Sequence, residues 1–403
     1  MRGGPCYRRR MTPGALFSLL TSRSAEIIDR QNLRRRTAAR RNLRVKFGID
    51  PTTPDLHLGH VVPLRMLRSF QDAGHHAVLI IGDFTGQIGD PSGKSRVRRQ
   101  LAPAEVKANE RTYRAQIARV LDLRRTEIRH NSEWHGRMSS REFLSLLAHF
   151  SLKTAWERED FQARLGAGQG VWLHEAMYPV LQAYDSVAVR ADIELGSLDQ
   201  RLNLLAGREL QRAVGQPPQD IVLLPYLIGL DGKQKMSKSV GNTINVHDAA
   251  ADMFGKAMST PDTLIANYAA LAAWLEPAEV RAIERRLAHK ENRRDAKLDV
   301  AGAIVGLYHG PAAARRAREE FLKTFSRRDP ASGAKRIRLS GAYRPLVFLE
   351  KLGFAVSRSA ARRLIRGKAL EVDGRVVDPD ERRVTFKPGS IVRVGKRRFF
   401  RIV

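Results

Sequence analysis

Two histidines three residues apart form the first group in the sequence that could do chemistry. In PDLHLGH, residues 54–60, His57 and His60 are separated by Leu58 and Gly59 and follow the strand-like run LRVKFGID. A helix N-terminus carries partial positive charge and free N–H groups, so it attracts phosphate. Two imidazoles at this spacing would add donors on one helix face, and Gly59 would let a flat group such as a nucleobase approach the backbone. The stretch therefore predicts a nucleotide site, with a structural histidine pair as the alternative.

A pair of lysines in a glycine-flanked loop forms the second group. KMSKS, residues 235–239, follows an apolar run and lies between Gly232 and Gly241, which predicts a mobile loop. Lys235 and Lys238 could bring two ammonium groups to one anion and stabilise the charge that develops on a departing pyrophosphate. A solvated basic loop is the alternative for these lysines alone, and it is the weaker interpretation when both groups are considered together.

The elements that must position these groups alternate between strands and helices. LRVKFGID and HAVLIIGDF have the pattern of buried strands, and a later strand, DIVLLPYLIGL, leads into the lysine loop. Between the first two strands, apolar side chains recur every three residues and predict one helix face packed on a sheet; they are Val61, Leu64, Leu67 and Phe70. This alternation predicts an α/β fold with a parallel sheet and helices on its faces.

The C-terminal part of the chain has the pattern of a separate basic module. RPLVFLEKLG and SRSAARRLIRGK predict two short helices, the second with a serine cap, and turns at Asp-Gly and Gly395 predict strands after them. Residues 341–403 contain 16 lysines and arginines against 6 acids, a net charge of +10. Arg362, Arg363 and Arg366 fall on nearly one face of the second helix, a geometry suited to binding RNA phosphates.

The composition excludes several classes of protein. The 403 residues are 43% hydrophobic, which permits two or three domains, and the net charge of +29 favours a polyanionic partner, although an arginine-rich genome could contribute. Cys6 is the only cysteine, which excludes an internal disulfide framework and a thiolate metal site. The longest apolar run, IVLLPYLIGL, has ten residues and is too short to cross a membrane.

The N-terminus is strongly basic. The first 25 residues contain five arginines and no acid, and Met11 is an alternative start. We interpret the stretch as an unstructured basic extension of a cytoplasmic protein, with an organellar targeting segment as the alternative.

H-x-G-H after the first strand and K-M-S-K-S after a late strand, on an α/β pattern, together resemble the signatures of the class I aminoacyl-tRNA synthetases. From about Leu16 to Val403 the chain is similar to the bacterial-type tyrosyl-tRNA synthetases, and its last module resembles the S4 RNA-binding domain that such enzymes carry. The resemblance implies a Rossmann-like parallel-sheet domain, an α-helical domain and a small α+β domain. The expected domains are a basic extension and helical arm at 1–43, the catalytic domain at 44–243, a helical anticodon-binding domain at 244–330, a linker at 331–340 and the S4-like domain at 341–403.

Two further stretches resemble the tyrosine-binding segments of the family. In YPVLQAYDSV, Tyr178, Gln182 and Asp185 would project from one helix face. By resemblance Asp185 accepts the substrate phenol, and Tyr178 and Gln182 hold the amino group. In GDFTGQIGDPSGK, Asp90 by resemblance pairs with the tyrosine ammonium group, with Thr85 beside it.

A third stretch, LGSLDQRLN, resembles the family's G-G-T-D-Q turn. By resemblance Gly196 and Asp199 bind the adenosine part of ATP, and Gln200 binds the amino-acid carboxylate. Ser197 and Leu198 depart from the family pattern, in which a glycine and a small hydroxyl residue are usual. The approach of the backbone to the adenylate is therefore expected to differ here.

The resemblance also implies the residues that act on the phosphates. Thr52, His57, His60, Lys235 and Lys238 would stabilise the α-phosphate and the departing pyrophosphate, with Lys94 and Arg98 on a loop over the phosphates. Gly48 and Gly59 would lie against ATP, and Asp50 would orient both substrates. Lys46 stands where one bacterial branch has a tyrosine that helps to bind the phenol, so the sequence resembles the other branch.

The expected partners are tyrosine, tRNA(Tyr), and ATP with Mg²⁺, with no protein-bound cofactor, no dedicated metal site and no membrane; a homodimer is implied by the resemblance alone. Two alternatives remain for the function. One is a tryptophanyl-tRNA synthetase, against which Asp185 and the S4-like module argue. The other is a non-catalytic RNA-binding protein on a synthetase scaffold, which predicts damaged phosphate motifs.

Overall fold

The computed structural model describes residues 11–39, 42–92, 100–153, 158–289, 293–326, 334–339, 341–355, 357–367, 369–378, 381–395 and 398–403. The chain divides into two compact units, with the boundary between Ala314 and Arg315. Across the described ranges, no helix is long and apolar enough to cross a membrane.

The strands of the first unit are β1 (Glu26–Ile28), β2 (Arg44–Ile49), β3 (His76–Ile81), β4 (Thr126–His130), β5 (Ile193–Ser197) and β6 (Asp220–Leu224). Its helices are α1 (Pro13–Arg23), α2 (Arg30–Ala38), α3 (Leu58–Asp72), α4 (Thr85–Ile88), α5 (Pro103–Ile117), α6 (Ser132–His135), α7 (Ser140–Leu147), α8 (Glu159–Gly166), α9 (Leu173–Ala188), α10 (Arg201–Ala213), α11 (Ala250–Met258), α12 (Ile265–Leu271), α13 (Pro277–Ala288) and α14 (Arg293–His309), and α15 (Pro311–Ser326) spans the boundary. The second unit contains β7 (Lys335–Ile337), β8 (Gly341–Tyr343), α16 (Pro345–Lys351), α17 (Arg358–Arg366), β9 (Leu370–Val372), β10 (Arg375–Val376), β11 (Val384–Phe386), β12 (Ile391–Val394) and β13 (Arg398–Ile402).

The first unit is built on a six-stranded sheet in the order β1-β6-β5-β2-β3-β4. Every neighbouring pair is parallel except β1 and β6, which are antiparallel. The predicted parallel α/β sheet is confirmed, and both strands predicted around α3 form as β2 and β3. The chain adds strands on one side of β2 and then places β5 on its other side, so the strand order reverses between β2 and β5.

Helix α3 packs on this sheet through the face that the sequence predicts. Its side chains Val61, Leu64, Leu67 and Phe70 are at most 2% exposed, and the helix contacts β2, β3 and β5. Burial of such side chains contributes about 1.5–3 kcal/mol each. The start of α3 is therefore anchored at the ends of the central strands.

The expectation of an unstructured N-terminal extension is wrong for residues 13–23, which form α1. The Thr12 side chain caps this helix by accepting from Ala15 N at 3.2 Å, and Leu16 and Leu20 are fully buried. Leu16 and Leu20 are one helical turn apart, and this apolar spacing is a better indicator of the structure of the segment than its basic composition. Residues 1–10 lie outside the described residues.

The second unit has the two helices and the hairpins that the sequence predicts. Its five-stranded sheet has the order β10-β9-β12-β13-β7, and β11 pairs with β8. Asp373 and Gly374 turn with positive φ angles of 50° and 83° between β9 and β10, which is the geometry that an Asp-Gly hairpin favours. Strand β7 pairs with β13 and lies inside the range 331–340 expected as a linker, so part of that range belongs to the sheet.

Candidate active site

A cleft lies at the carboxyl ends of β2 and β5, where the strand order reverses. This is the position at which open parallel sheets bind ligands, and the cleft has a volume of about 260 Å³. Most of the predicted site residues line it; they are Gly48, Asp50, Thr52, His57, Gly59, His60, Thr85, Asp90, Tyr178, Gln182, Asp185, Gly196, Asp199, Gln200 and Lys235. Lys238 lies beside the cleft, on a carboxylate of its rim. Lys94 and Arg98 lie outside the described residues.

The two histidines stack at the start of α3. His57 is the N-cap residue in an extended conformation, and Leu58 N donates to the Ile244 carbonyl at 2.9 Å, which fixes the entry of the chain. The rings of His57 and His60 lie 3.7 Å apart with an interplanar angle of 21°. A Cβ on Gly59 would lie 3.0 Å from His57 Nδ1. A side chain at position 59 would therefore crowd the His57 ring.

The two lysines of the loop lie on different carboxylates. Lys235 Nζ donates to Asp199 Oδ2 at 2.9 Å, and Lys238 Nζ donates to Asp55 Oδ2 at 3.0 Å. The lysine side chains are 34% and 26% exposed. The expected convergence of both ammonium groups on one site is therefore not what the structure shows. The loop is held at its two ends by separate ion pairs.

Asp50, the first residue after β2, accepts two hydrogen bonds from the other side of the cleft. Thr85 Oγ1 donates to Asp50 Oδ1 at 2.8 Å, and Tyr178 Oη donates to Asp50 Oδ2 at 2.8 Å. A Cβ on Gly82 would lie 1.9 Å from Asp50 Oδ1, so the end of β3 must be glycine for this carboxylate to fit. Burial raises the pKa of the Tyr178 phenol well above its usual range, and the Asp50 and Asp90 carboxylates raise it further. Tyr178 thus stays protonated and donates.

Asp185 is buried in the cleft and accepts hydrogen bonds from three side chains. Trp134 Nε1 donates to Asp185 Oδ1 at 2.8 Å, and His135 Nε2 lies 2.9 Å from the same oxygen. Asn131 Nδ2 donates to Asp185 Oδ2 at 3.3 Å and to Thr85 Oγ1 at 2.9 Å. Buried carboxylates need such hydrogen-bond donors, and Asp185 has them on both of its oxygens.

A second network holds the polar groups expected around the amino-acid ammonium and carboxylate. Gln200 Nε2 donates to Asp90 Oδ2 at 2.7 Å, and Ser92 N donates to Asp90 Oδ1 at 2.9 Å. Asn203 Nδ2 donates to Gln182 Oε1 at 2.9 Å and to Gln200 Oε1 at 3.2 Å. The structure thus brings Asp90, Gln182 and Gln200 together through Asn203 on α10.

Lys46 forms a buried ion pair beneath this network. Its Nζ lies 2.8 Å from Glu194 Oε1 on β5, and the two side chains are 0% and 2% exposed. It also donates to Ser186 Oγ at 2.7 Å and to the Gln182 carbonyl at 3.2 Å. Lys46 therefore joins α9 to the sheet through a buried cation.

The turn after β5 carries the departures seen in the sequence. The Ser197 hydroxyl donates to Asp199 Oδ1, while Leu198 is 36% exposed. A Cβ on Gly196 would lie 2.9 Å from Leu204 Cδ2, so that glycine is needed for packing against α10. Burial raises the pKa of the nearby Tyr226 to about 12, with the Asp199 carboxylate adding to it.

Sequence reasoning missed the residues that support the predicted ones. They are Ser92, Asn131, Trp134, His135, Arg158 and Asn203. Arg158 Nη1 donates to Asn203 Oδ1 at 3.1 Å and Nη2 to Ser92 Oγ at 3.2 Å. The polar and aromatic run HNSEWH directly after β4 was a usable signal, because side chains that follow parallel strands gather at the same edge of the sheet.

The second unit carries the predicted basic face. Arg362, Arg363 and Arg366 on α17 are exposed, whereas Ala361 and Ile365 of the same helix are buried in the core of the unit. The three guanidinium groups therefore lie on the solvent side of α17.

Comparison with known families gives two matches along the chain. Residues 38–326 match the family described as tRNA synthetases class I (W and Y). Residues 346–385 match the S4 domain.

Curated relatives match over almost the whole chain. A tyrosine–tRNA ligase of Moorella thermoacetica is 45% identical over 388 residues, covering 94% of this chain and 93% of that protein. One of Acidithiobacillus ferrooxidans is 46% identical over 377 residues, covering 92% of each.

Solved structures share the fold at low identity. A tyrosyl-tRNA synthetase from Archaeoglobus fulgidus, complexed with L-tyrosine, has a TM-score of 0.63 at 22% identity, covering 76% of this chain and 99% of that one. A Plasmodium falciparum tryptophanyl-tRNA synthetase has a TM-score of 0.57 at 13% identity, covering 76% and 88%.

Proposed function

The chain belongs to the tyrosine–tRNA ligases of the class I tRNA synthetases, and we propose that its cleft activates tyrosine with ATP and transfers the tyrosyl group to the 3′ end of tRNA(Tyr). The observation that carries the proposal is the buried Asp185 carboxylate, which lines the cleft and accepts from three donors. A phenol hydroxyl would complete this acceptor, whereas phenylalanine would leave it unpaired. Tryptophan could also donate a hydrogen bond to Asp185, through its indole N–H, but its ring is larger than a phenol. The curated relatives, which are tyrosine–tRNA ligases, favour tyrosine.

In the first step, a carboxylate oxygen of tyrosine attacks the α-phosphorus of ATP. An O–P bond forms in tyrosyl-adenylate, the bond to the bridging oxygen breaks, and pyrophosphate leaves with that electron pair. Positioning and electrostatic stabilisation supply most of the acceleration in such a transfer. Asp50, Thr85 and Tyr178 hold the amino-acid end, with Asp90 on the ammonium group. Gln182 and Gln200 complete the pocket.

The nucleotide end of the cleft stabilises the α-phosphate and the departing pyrophosphate. Thr52, His57 and His60 donate to phosphate oxygens at the start of α3, where the helix dipole adds positive potential. Lys235 and Lys238 leave their carboxylate partners and bind the pyrophosphate charge. Gly48, Gly59 and Gly196 lie against ATP, with Asp199 toward the ribose. Lys94 and Arg98 are proposed to cover the phosphates from their loop.

In the second step, a hydroxyl of the terminal tRNA ribose attacks the carbonyl carbon of the adenylate, and AMP leaves. The Arg362, Arg363 and Arg366 face is proposed to bind phosphates of the tRNA, consistent with the match to the S4 domain. Mg²⁺ enters with ATP as part of the nucleotide substrate and is held chiefly by its phosphates; among the described residues, no three metal-ligating side chains cluster.

Domain roles and assembly extend the proposal. We propose that residues 44–243 are the catalytic domain, residues 244–330 the anticodon-binding domain and residues 341–403 the RNA-binding domain, preceded by the arm at 1–43. We also propose that the protein is a cytoplasmic homodimer. The proposal of a dimer draws on four large apolar side chains of the first unit, Leu144, Leu152, Trp172 and Leu173, which are 57–73% exposed. A protein contact that covered them would remove this apolar surface from water.

The proposal is tested by amino-acid-dependent ATP–pyrophosphate exchange with tyrosine, phenylalanine and tryptophan side by side. Exchange with tyrosine alone is expected. Exchange with tryptophan would move the assignment to the sister enzyme, and folded protein that exchanges with none of the three would favour a non-catalytic RNA-binding role.

A deletion of residues 335–403 tests the second unit separately. Exchange is expected to survive this deletion while charging of tRNA falls. Loss of both activities would show that the second unit also supports the fold of the first.

A further inference from the structure

His135 is buried against the carboxylate that is proposed to bind the substrate phenol. Its side chain is fully buried, and its Nε2 lies 2.9 Å from Asp185 Oδ1. The rings of Phe84, Trp134 and Tyr184 surround it with centroid distances of 5.3, 6.1 and 5.9 Å. An apolar side chain would satisfy such a wall without the cost of burying a polar ring. The hydrogen bond to Asp185 is therefore what an imidazole adds at this place.

The hydrogen bonds to Asp185 are divided unequally between its two oxygens. Oδ1 accepts from Trp134 Nε1 at 2.8 Å and from His135 Nε2 at 2.9 Å. Oδ2 has one longer contact, with Asn131 Nδ2 at 3.3 Å. A carboxylate oxygen has two lone-pair sites, so Oδ1 is fully used and Oδ2 keeps acceptor capacity for a hydroxyl.

The two ring nitrogens of His135 differ in their contacts. A carboxylate only accepts, so Nε2 must carry the proton in the hydrogen bond to Asp185. His135 Nδ1 is buried and has no hydrogen-bond partner among the described residues. The ring thus has one polar contact, and that contact is Asp185.

We propose that His135 is a specificity-determining positioning residue: by saturating Asp185 Oδ1 it fixes the carboxylate so that Oδ2 is the oxygen offered to the substrate hydroxyl. The inference rests on the proposed function and names a residue that acts through Asp185 and does not itself touch the substrate. Without the His135 donor, the carboxylate can turn and satisfy itself on the remaining donors. Phenylalanine is then rejected less strongly, and tyrosine is bound less well.

The test is pyrophosphate exchange with the full chain carrying His135→Leu or His135→Gln. The leucine variant is expected to lose about tenfold in the ratio of kcat/KM for tyrosine over phenylalanine, since one charge-assisted hydrogen bond is worth about this factor. The KM for tyrosine should rise by a similar factor while the KM for ATP stays within about twofold. Glutamine keeps an N–H donor of similar reach, so His135→Gln should restore the ratio to within about threefold of the wild type.

Tyr184→Leu is the matched control, because it trims a ring that contacts His135 and removes no donor to Asp185. It should lower the melting temperature and leave the tyrosine to phenylalanine ratio unchanged. If His135→Leu fails to fold, His135→Phe fills the same space without a donor and carries the same prediction.

Two results would overturn the inference. One is a ratio within about twofold of the wild type in both the leucine and phenylalanine variants, and the other is an equal loss in Tyr184→Leu. Failure of the proposed function is distinguishable from both, since wild-type protein would then show no tyrosine-dependent exchange at all.

Discussion

The two ends of the cleft differ in how their charged groups are satisfied. At the amino-acid end, Asp50 and Asp185 accept hydrogen bonds from neutral side chains on neighbouring elements, and Asp185 is only 4% exposed. At the nucleotide end, Lys235 and Lys238 are paired with carboxylates and their side chains are about a third exposed. At the amino-acid end, buried carboxylates accept hydrogen bonds from neighbouring side chains. At the nucleotide end, partly exposed lysines form ion pairs with carboxylates that a phosphate could replace.

This difference predicts different roles for binding and chemistry. Buried hydrogen-bonded networks are rigid, so we expect the proposed amino-acid end to be formed before tyrosine binds. Exposed ion pairs are worth about 0–1 kcal/mol each, so phosphate can displace Asp199 and Asp55 from the lysines at little cost. Substitutions at the first end should therefore change tyrosine affinity, and those at the second should change the rate of adenylate formation.

The largest effect is expected from Asp185→Ala. Removal of this buried anion leaves the Trp134, His135 and Asn131 donors unpaired, so kcat/KM for tyrosine should fall about 1,000-fold, or about 4 kcal/mol. Exchange kinetics at varied tyrosine and ATP would measure it, and the KM for ATP should hold. The control is Asp72→Ala, which removes a carboxylate paired with Arg68 at the far end of α3. A tyrosine KM that stays at the wild-type value would contradict the rigid acceptor.

Lys46→Met should destabilise the protein by about 3 kcal/mol, because it leaves Glu194 buried without its cation. Denaturant unfolding measures this loss. In the double variant Lys46→Met/Glu194→Leu, most of the loss should be recovered, since an apolar pair avoids the cost of burying charge. Equal stability of Lys46→Met and the wild type would show that the pair does not join α9 to the sheet.

His60→Ala should slow adenylate formation about 100-fold while tyrosine binding stays within about threefold, because the imidazole acts on charge that develops in the transition state. Single-turnover kinetics separates the two. The matched control is His76→Ala, a histidine at the opposite end of the sheet that pairs with Glu127. A comparable loss of tyrosine affinity in His60→Ala would place this residue at the amino-acid end.

The smallest effect is expected from Asp55→Asn, which releases Lys238 from its carboxylate. The KM for ATP should fall about two- to threefold, because the ammonium group no longer has to leave a partner. The effect should shrink as salt is raised, since exposed charges are screened. A rise in the KM for ATP would mean that Asp55 holds Lys238 in the position that ATP needs.

The fold and the predicted site were accessible from the sequence where the signal is local. His57 with His60, and Tyr178 with Asp185, are fixed by helical spacing, and the strand end that carries Asp50 follows from a buried apolar run. The stretch that forms α1 was predicted to be unstructured because the five arginines of the first 25 residues drew attention away from three leucines, Leu16, Leu19 and Leu20, which are buried.

The missing parts depend on long-range contacts. His135 and Asp185 are 50 positions apart, and only the strand order that places β4 beside β3 brings α6 to α9. Asp55 and Lys238 form an ion pair although they are 183 positions apart, so no pattern in KMSKS could predict Asp55 as the partner of Lys238. Spacing within one element reveals which side chains share a face, whereas the donors to a buried anion come from elements that the sheet brings together.

Calorimetric titration of L-tyrosine into the wild type and the His60→Ala/Lys235→Ala variant, both without nucleotide, tests most directly whether the amino-acid end is built in advance. We expect one tyrosine bound per chain, with affinities that agree within about threefold between the two proteins. Binding of tyrosine that requires ATP, or that is lost in the variant, would contradict this view of the cleft.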